Sequence, residues 1–157
     1  MPHSASRILA TVALGLSLTA GTAAAQSPSP QAGSEAAVQG FLHAVADSNL
    51  EKMAQLWGTS KGAAAKTHEP SDYDRRIVVM QAYLHGAEFK ILSNTADQGR
   101  KDRRTLQVEL TRDGCDKIVP FTTVRTRSGS WIVSAIELGE LGSPGRQCGP
   151  SDSTSAR

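Results

Sequence analysis

Histidine and carboxylates come together once in this chain, at His68-Glu69 with Asp72 and Asp74 close behind. Moving a proton near neutral pH needs an imidazole, a carboxylate to orient it and an apolar wall, which makes His68 and Asp72 the candidate acid–base pair. The alternative is a solvated loop running into a helix whose acids complement the positive end of its dipole. No second His or Cys stands at a metal-ligand spacing, so no metal site is expected. His43 and His85 fall on separate segments, and His85 suits the negative end of a helix. The run Arg100-Lys101-Asp102-Arg103-Arg104 has no interleaved aromatic side chains and reads as a solvated hairpin tip rather than a nucleic-acid site. No glycine pattern passes from a strand into a helix, so neither a nucleotide cradle nor another cofactor is expected. None of these groupings specifies a reaction.

The chain that must position them has 157 residues, 39% of them hydrophobic, which bounds it to one modest domain and excludes a multidomain enzyme. Its formal net charge is +2, and Arg7 is the only charged residue before position 26. That balance does not argue for nucleic acid or anionic lipid. Arg7 is followed by an uncharged apolar stretch, 8–20, and by Ala23-x-Ala25, the pattern of a secretory signal peptide over 1–25 cleaved before Gln26. The stretch is shorter than the roughly 20 residues of a spanning helix, and a retained anchor is the competing reading. A periplasmic or secreted location follows, with no membrane span in the mature chain. Residues 26–33 and 149–157 lack large apolar side chains and are expected to be disordered, leaving a domain over 34–148.

Within that domain Val38, Phe41, Leu42 and Val45 recur at helical steps, with Ser34 as the cap. Ser48 and Glu51 have capping-box spacing ahead of Leu50, Met53, Ala54 and Trp57, a second helix that makes a hairpin with the first. After a small-residue connection, 58–69, Pro70-Ser71-Asp72 opens a third helix with Tyr73, Ile77, Met80 and Leu84 as its buried stripe and His85-Gly86 as its end. The period then changes to two. Residues 88–95 and the alternation around Leu106, Val108 and Leu110 predict strands, and Asp113-Gly114 and Ser128-Gly129 are hairpin turns. The fold class is therefore α+β, with three N-terminal helices on a curved four-stranded antiparallel meander.

Two-residue loops at both turns would set Arg112 opposite Cys115, Leu106 opposite Phe121, Phe121 opposite Ile136 and Val119 opposite Leu138. All of these apolar residues then share the helix-covered face. At one end of that face Arg104, Thr123, Ser134 and Arg125 would gather, with Arg125 opposite Ile132, as a site for an acidic ligand. The alternative sends both guanidinium groups into water. On the other face Ile118, Val124, Trp131 and Val133 would form an apolar stripe, either a homodimer interface or a surface covered by the N-terminal segment or the tail. Extending the register brings Cys115 near residue 142, so a returning tail could pair Cys115 with Cys148 in a structural disulfide, as suits an exported chain.

The segments AVQGFLHAVADSNLEKMAQLWG, from position 37, and GSWIVSAIEL, from position 129, resemble the nuclear transport factor 2-like superfamily of cone folds, which includes ketosteroid isomerase-like and polyketide cyclase-like proteins. The resemblance implies helices closing over a concave sheet, with a pocket that members use for catalysis, ligand binding or dimerisation. It implies no catalytic set at numbered positions here. Three functions stay open: a binding module for a small amphipathic, possibly anionic ligand or a protein partner; a cofactor-free lyase or isomerase using His68 and Asp72; and a structural envelope protein with a filled core.

Overall fold

The computed structural model describes residues 28–142. Helix α1, Pro30–Ala46, begins four residues before the expected Ser34, inside the segment read as disordered. The reason is local: the Ser29 side chain accepts a hydrogen bond from the Ala32 amide at 3.2 Å, and Pro30 sits where a missing N–H costs nothing. Ser34 lies inside the helix instead, fully buried, its Oγ donating to the Gln31 carbonyl at 2.9 Å. Helix α2, Leu50–Leu56, is capped by Asn49, which accepts from the Lys52 amide at 2.9 Å. Ser48, expected to cap it, takes the left-handed conformation of the turn, at φ 52°.

The connection between residues 58 and 69 holds more structure than its composition suggests. It forms a small hairpin of β1, Gly58–Thr59, with β2, Gly62–Ala63, followed by a fourth helix, α3, Ala64–Thr67. Gly58 permits this, because a Cβ there would run into the Gly62 carbonyl oxygen and the Ala64 nitrogen. Helix α4, Tyr73–Leu84, buries Ile77, Met80 and Leu84 as expected, while Tyr73, expected in the same stripe, is only half-buried at its start.

Strands β3 (Glu88–Asp97), β4 (Arg100–Arg112), β5 (Cys115–Arg125) and β6 (Trp131–Ile136) form one antiparallel sheet in chain order. A short 3-10 turn, Leu138–Leu141, follows. The β4–β5 turn is the tight one expected: Asp113 and Gly114 both have positive φ, and Arg112 faces Cys115, Val108 faces Val119 and Leu106 faces Phe121. The β5–β6 turn is one residue longer. The Gly129 amide donates to the Thr126 carbonyl at 2.9 Å, the Thr126 amide donates to the Ser130 carbonyl at 2.8 Å, and Gly129 has φ 90°. That is a turn closed by a left-handed glycine, which shifts the pairing by one. Arg125 therefore faces Trp131 and Thr123 faces Val133, where Ile132 and Ser134 were expected.

A bulge at Ser134 then cancels the shift, so Thr122 faces Ala135 and Phe121 faces Ile136 as expected. Leu138 does not face Val119, since β6 stops at Ile136; it packs half-buried against the core from the 3-10 turn. On the far side of the sheet β3 has an extra residue of its own, Leu92, between Ile91 opposite Val108 and Ser93 opposite Gln107. Trp57 bridges Val133 in parallel, which covers the β6 edge.

The core lies between helices and sheet. Phe41, Met53 and Leu84 meet Leu106, Leu110, Val119 and Phe121 there, all essentially without exposure. Each such side chain contributes about 1.5–3 kcal/mol by leaving water.

Candidate functional site

Helix α4 places residues 72, 75, 76, 79 and 80 on one side, since these positions stand at the three- and four-residue steps that line a helix face. That side borders an open cleft of about 360 Å³ facing β6. Trp57, Val79, Met80, Ile136 and Leu138 make its apolar walls, and Asp72, Arg75, Arg76 and Ser134 its polar ones. The Arg76 Nε donates to the Asp72 carboxylate at 2.9 Å, and this bond is the main cause holding Asp72 below its ordinary pKa of 3.8. Arg75 makes no hydrogen bond or ion pair among the described residues, although its charge also favours ionised Asp72. Ser134, expected on the helix-covered face opposite Thr123, reaches the cleft because of the bulge, and its Oγ donates to the Thr122 carbonyl at 3.2 Å. A guanidinium free to fork onto an oxyanion, set beside apolar walls, is an arrangement for an amphipathic anion.

The acid–base pair is not brought together. His68 ends α3 in a left-handed conformation, at φ 54°, exposed and outside the cleft lining. Its Nδ1 lies 3.5 Å from the Tyr73 hydroxyl, and the two rings meet edge to face. Asp72 is engaged with Arg76, and Glu69 with Lys61 at 2.9 Å. Partial burial and the neighbouring Asp74 carboxylate push the Tyr73 phenol above its ordinary pKa. Among the described residues no three His, Cys, Asp or Glu side chains gather as a metal set.

The other four-residue grouping is divided as well. Arg104 does face Thr123, which is fully buried. The Arg104 guanidinium, however, donates to the Asn94 side-chain oxygen at 2.6 Å and to the Asn94 carbonyl at 3.0 Å. Asn94 in turn donates to Ser34 Oγ at 2.8 Å and to the Gln31 carbonyl at 3.1 Å, so this cluster fastens α1 to the sheet. Arg125 is exposed at the β5–β6 turn, its Nε donating to the Gly129 carbonyl at 3.2 Å. Ser134 is in the cleft, away from these.

The apolar stripe divides too, because the longer turn inverts the start of β6. Trp131 and Val133 face the helices: Val133 is fully buried in the core, and a Cβ on Gly33 of α1 would lie 2.5 Å from the Trp131 ring. Val124 and Ile118 point to the opposite face, where Val124 is buried and Ile118 is 53% exposed. Cys115 is half-buried at the start of β5, while Cys148 lies outside the described residues, as does the signal-peptide segment. No helix among the described residues is long and apolar enough to cross a membrane.

Sequence reasoning did not single out Arg75. The signal was present: Asp72 and Arg76 pair at a four-residue step, which leaves the adjacent guanidinium on the same side of the helix without a carboxylate. No protein-family model matches the chain, and neither a curated protein nor a solved structure does so.

Proposed function

We propose that the chain is an exported, single-domain binding module of the nuclear transport factor 2-like kind that takes a small amphipathic anion in the cleft between α4 and β6. The observation that carries this reading is Arg75, an uncommitted cation beside the apolar walls of Trp57, Met80, Ile136 and Leu138. The anionic head would fork onto Arg75 while the apolar body displaces water from those walls. Ser134 and the Asp72–Arg76 pair bound the polar side and restrict where the head can sit. Proton-transfer chemistry draws less support, since His68 is outside the cleft and Asp72 is committed to Arg76. The structural-protein reading draws on the filled interior around Phe41 and Phe121, which makes a flanking cleft, rather than an enclosed cavity, the binding place.

The test is a fluorescence titration with anilinonaphthalene sulfonate, whose rings and sulfonate match the two halves of the cleft, with decanoate as competitor. Saturable one-to-one binding is expected. Arg75→Gln should weaken it about tenfold or more while leaving the circular dichroism unchanged, because a hydrogen bond to a charged group is worth about 1.5–3 kcal/mol. Non-saturable binding, or equal affinity in wild type and variant, overturns the reading.

A further inference from the structure

The antiparallel meander sends two hairpin tips to the same end of the sheet. The β3–β4 tip brings Arg100, Lys101, Arg103 and Arg104, and the end of β5 with its turn brings Arg125 and Arg127, since Arg103 faces Val124 and Arg104 faces Thr123. The carboxylates in these two tips are Asp97 and Asp102, and Glu35 of α1 lies beside them, accepting from the Asn94 amide at 3.1 Å. Little of the positive charge is neutralised internally. Arg104 and Arg125 are bonded to neutral acceptors, Asn94 and the Gly129 carbonyl. Arg103 stands 3.9 Å from the Asp97 carboxylate, a long, part-exposed ion pair of small effect whose Nε makes no hydrogen bond. Arg100, Lys101 and Arg127 are exposed, with no side-chain hydrogen bond or ion pair among the described residues. The opposite end of the sheet, at the β4–β5 turn, carries Asp113 and Asp116 together with Arg112 and Lys117, so its charges balance. A chain of nearly balanced composition thus concentrates a basic surplus at one end of its sheet.

The course of the chain adds a second observation. Helix α1 starts at this same end: Gly33 lies against Trp131, which faces Arg125, and the Gln31 carbonyl accepts from Asn94, which holds Arg104. Residues 1–27, with the uncharged apolar stretch 8–20, therefore join the domain at its cationic end. An apolar signal segment of this kind, inserted in a bilayer, would hold the cationic end next to the headgroups until cleavage before Gln26. The tips expose no large apolar side chain for insertion, so contact there is electrostatic.

We infer that the paired β3–β4 and β5–β6 tips form a docking surface for an anionic phospholipid membrane, separate from the cleft beside α4. The domain lies against the bilayer by this end and turns the α4 cleft to one side, free to exchange ligand. Docking is reversible and salt-sensitive, because no group crosses the headgroup layer.

Co-sedimentation of the protein from Gln26 onward, which retains every residue of the described core, tests this. The probes are phosphatidylcholine vesicles with and without phosphatidylglycerol, at low and high salt. Binding is expected with phosphatidylglycerol at low salt and lost at high salt. Arg100→Glu combined with Arg127→Glu should reduce partitioning at least about tenfold, since each basic side chain near such a surface adds about fivefold. Lys52→Glu combined with Lys66→Glu, on α2 and α3, should leave it near the wild-type value. The inference is overturned by absent binding to the anionic vesicles, by equal losses in the two double variants, or by capture on heparin with the vesicles ignored.

Discussion

Arg76 and Arg75 are neighbours in sequence on one side of α4 with opposite commitments: one is bonded to Asp72, and the other makes no hydrogen bond or ion pair among the described residues. Arg76 closes on Asp72 and lowers its pKa, chiefly through the hydrogen bond and then through charge. A carboxylate depressed in the folded state adds stability above its ordinary pKa, and that contribution is lost as pH falls through the lower folded value. Carboxyl NMR should therefore give Asp72 a midpoint below 3.8, moving upward in Arg76→Gln; an unmoved midpoint would deny the pair its role. At this scale the sequence was informative about residue type but not about commitment. Arg104 was correctly placed opposite Thr123, yet its guanidinium is used on Asn94, a partner on β3 whose pairing no turn signal had fixed.

The elements were more legible, and the place where legibility failed is instructive. The Asp113-Gly114 turn specifies its own geometry, because two adjacent residues accept positive φ, and every pair along β4 and β5 follows from it. Ser128-Gly129 specifies only that a glycine takes a left-handed conformation; the loop length is decided by the Thr126–Ser130 bonds. An offset there and a second at Ser134 leave Phe121 opposite Ile136 while inverting the residues between. Side-chain truncation separates the two phases. Val133→Ala should cost about 1–3 kcal/mol by opening a cavity in the core, whereas Ile118→Ala should stay within about 0.5 kcal/mol, as read by chemical denaturation. Similar costs at both positions would contradict the inverted phase. The hairpin at β1 and β2 was illegible for a different reason: its strands are two residues each, too short for any alternation to register.

For the whole molecule, the balance of helix-covered and open sheet follows from apolar patterning that the sequence displays plainly, whereas the distribution of charge over the surface does not, because it depends on which tips meet. The Cys115–Cys148 bond expected from the sequence belongs to this scale, since it would join residues far apart in the chain. Intact mass of the protein made under oxidising conditions should lack two thiol hydrogens, and Cys115→Ser should lower stability by about 3–4 kcal/mol. Two titratable thiols would rule the bond out. The two sides of the sheet meet unlike fates: Trp57 closes off β6, while β3 has no strand beside it among the described residues. An open flank of hydrogen-bonding groups invites copies to stack into filaments. The surplus Leu92 puckers that flank midway, which breaks the even spacing a straight incoming strand would need to pair along it.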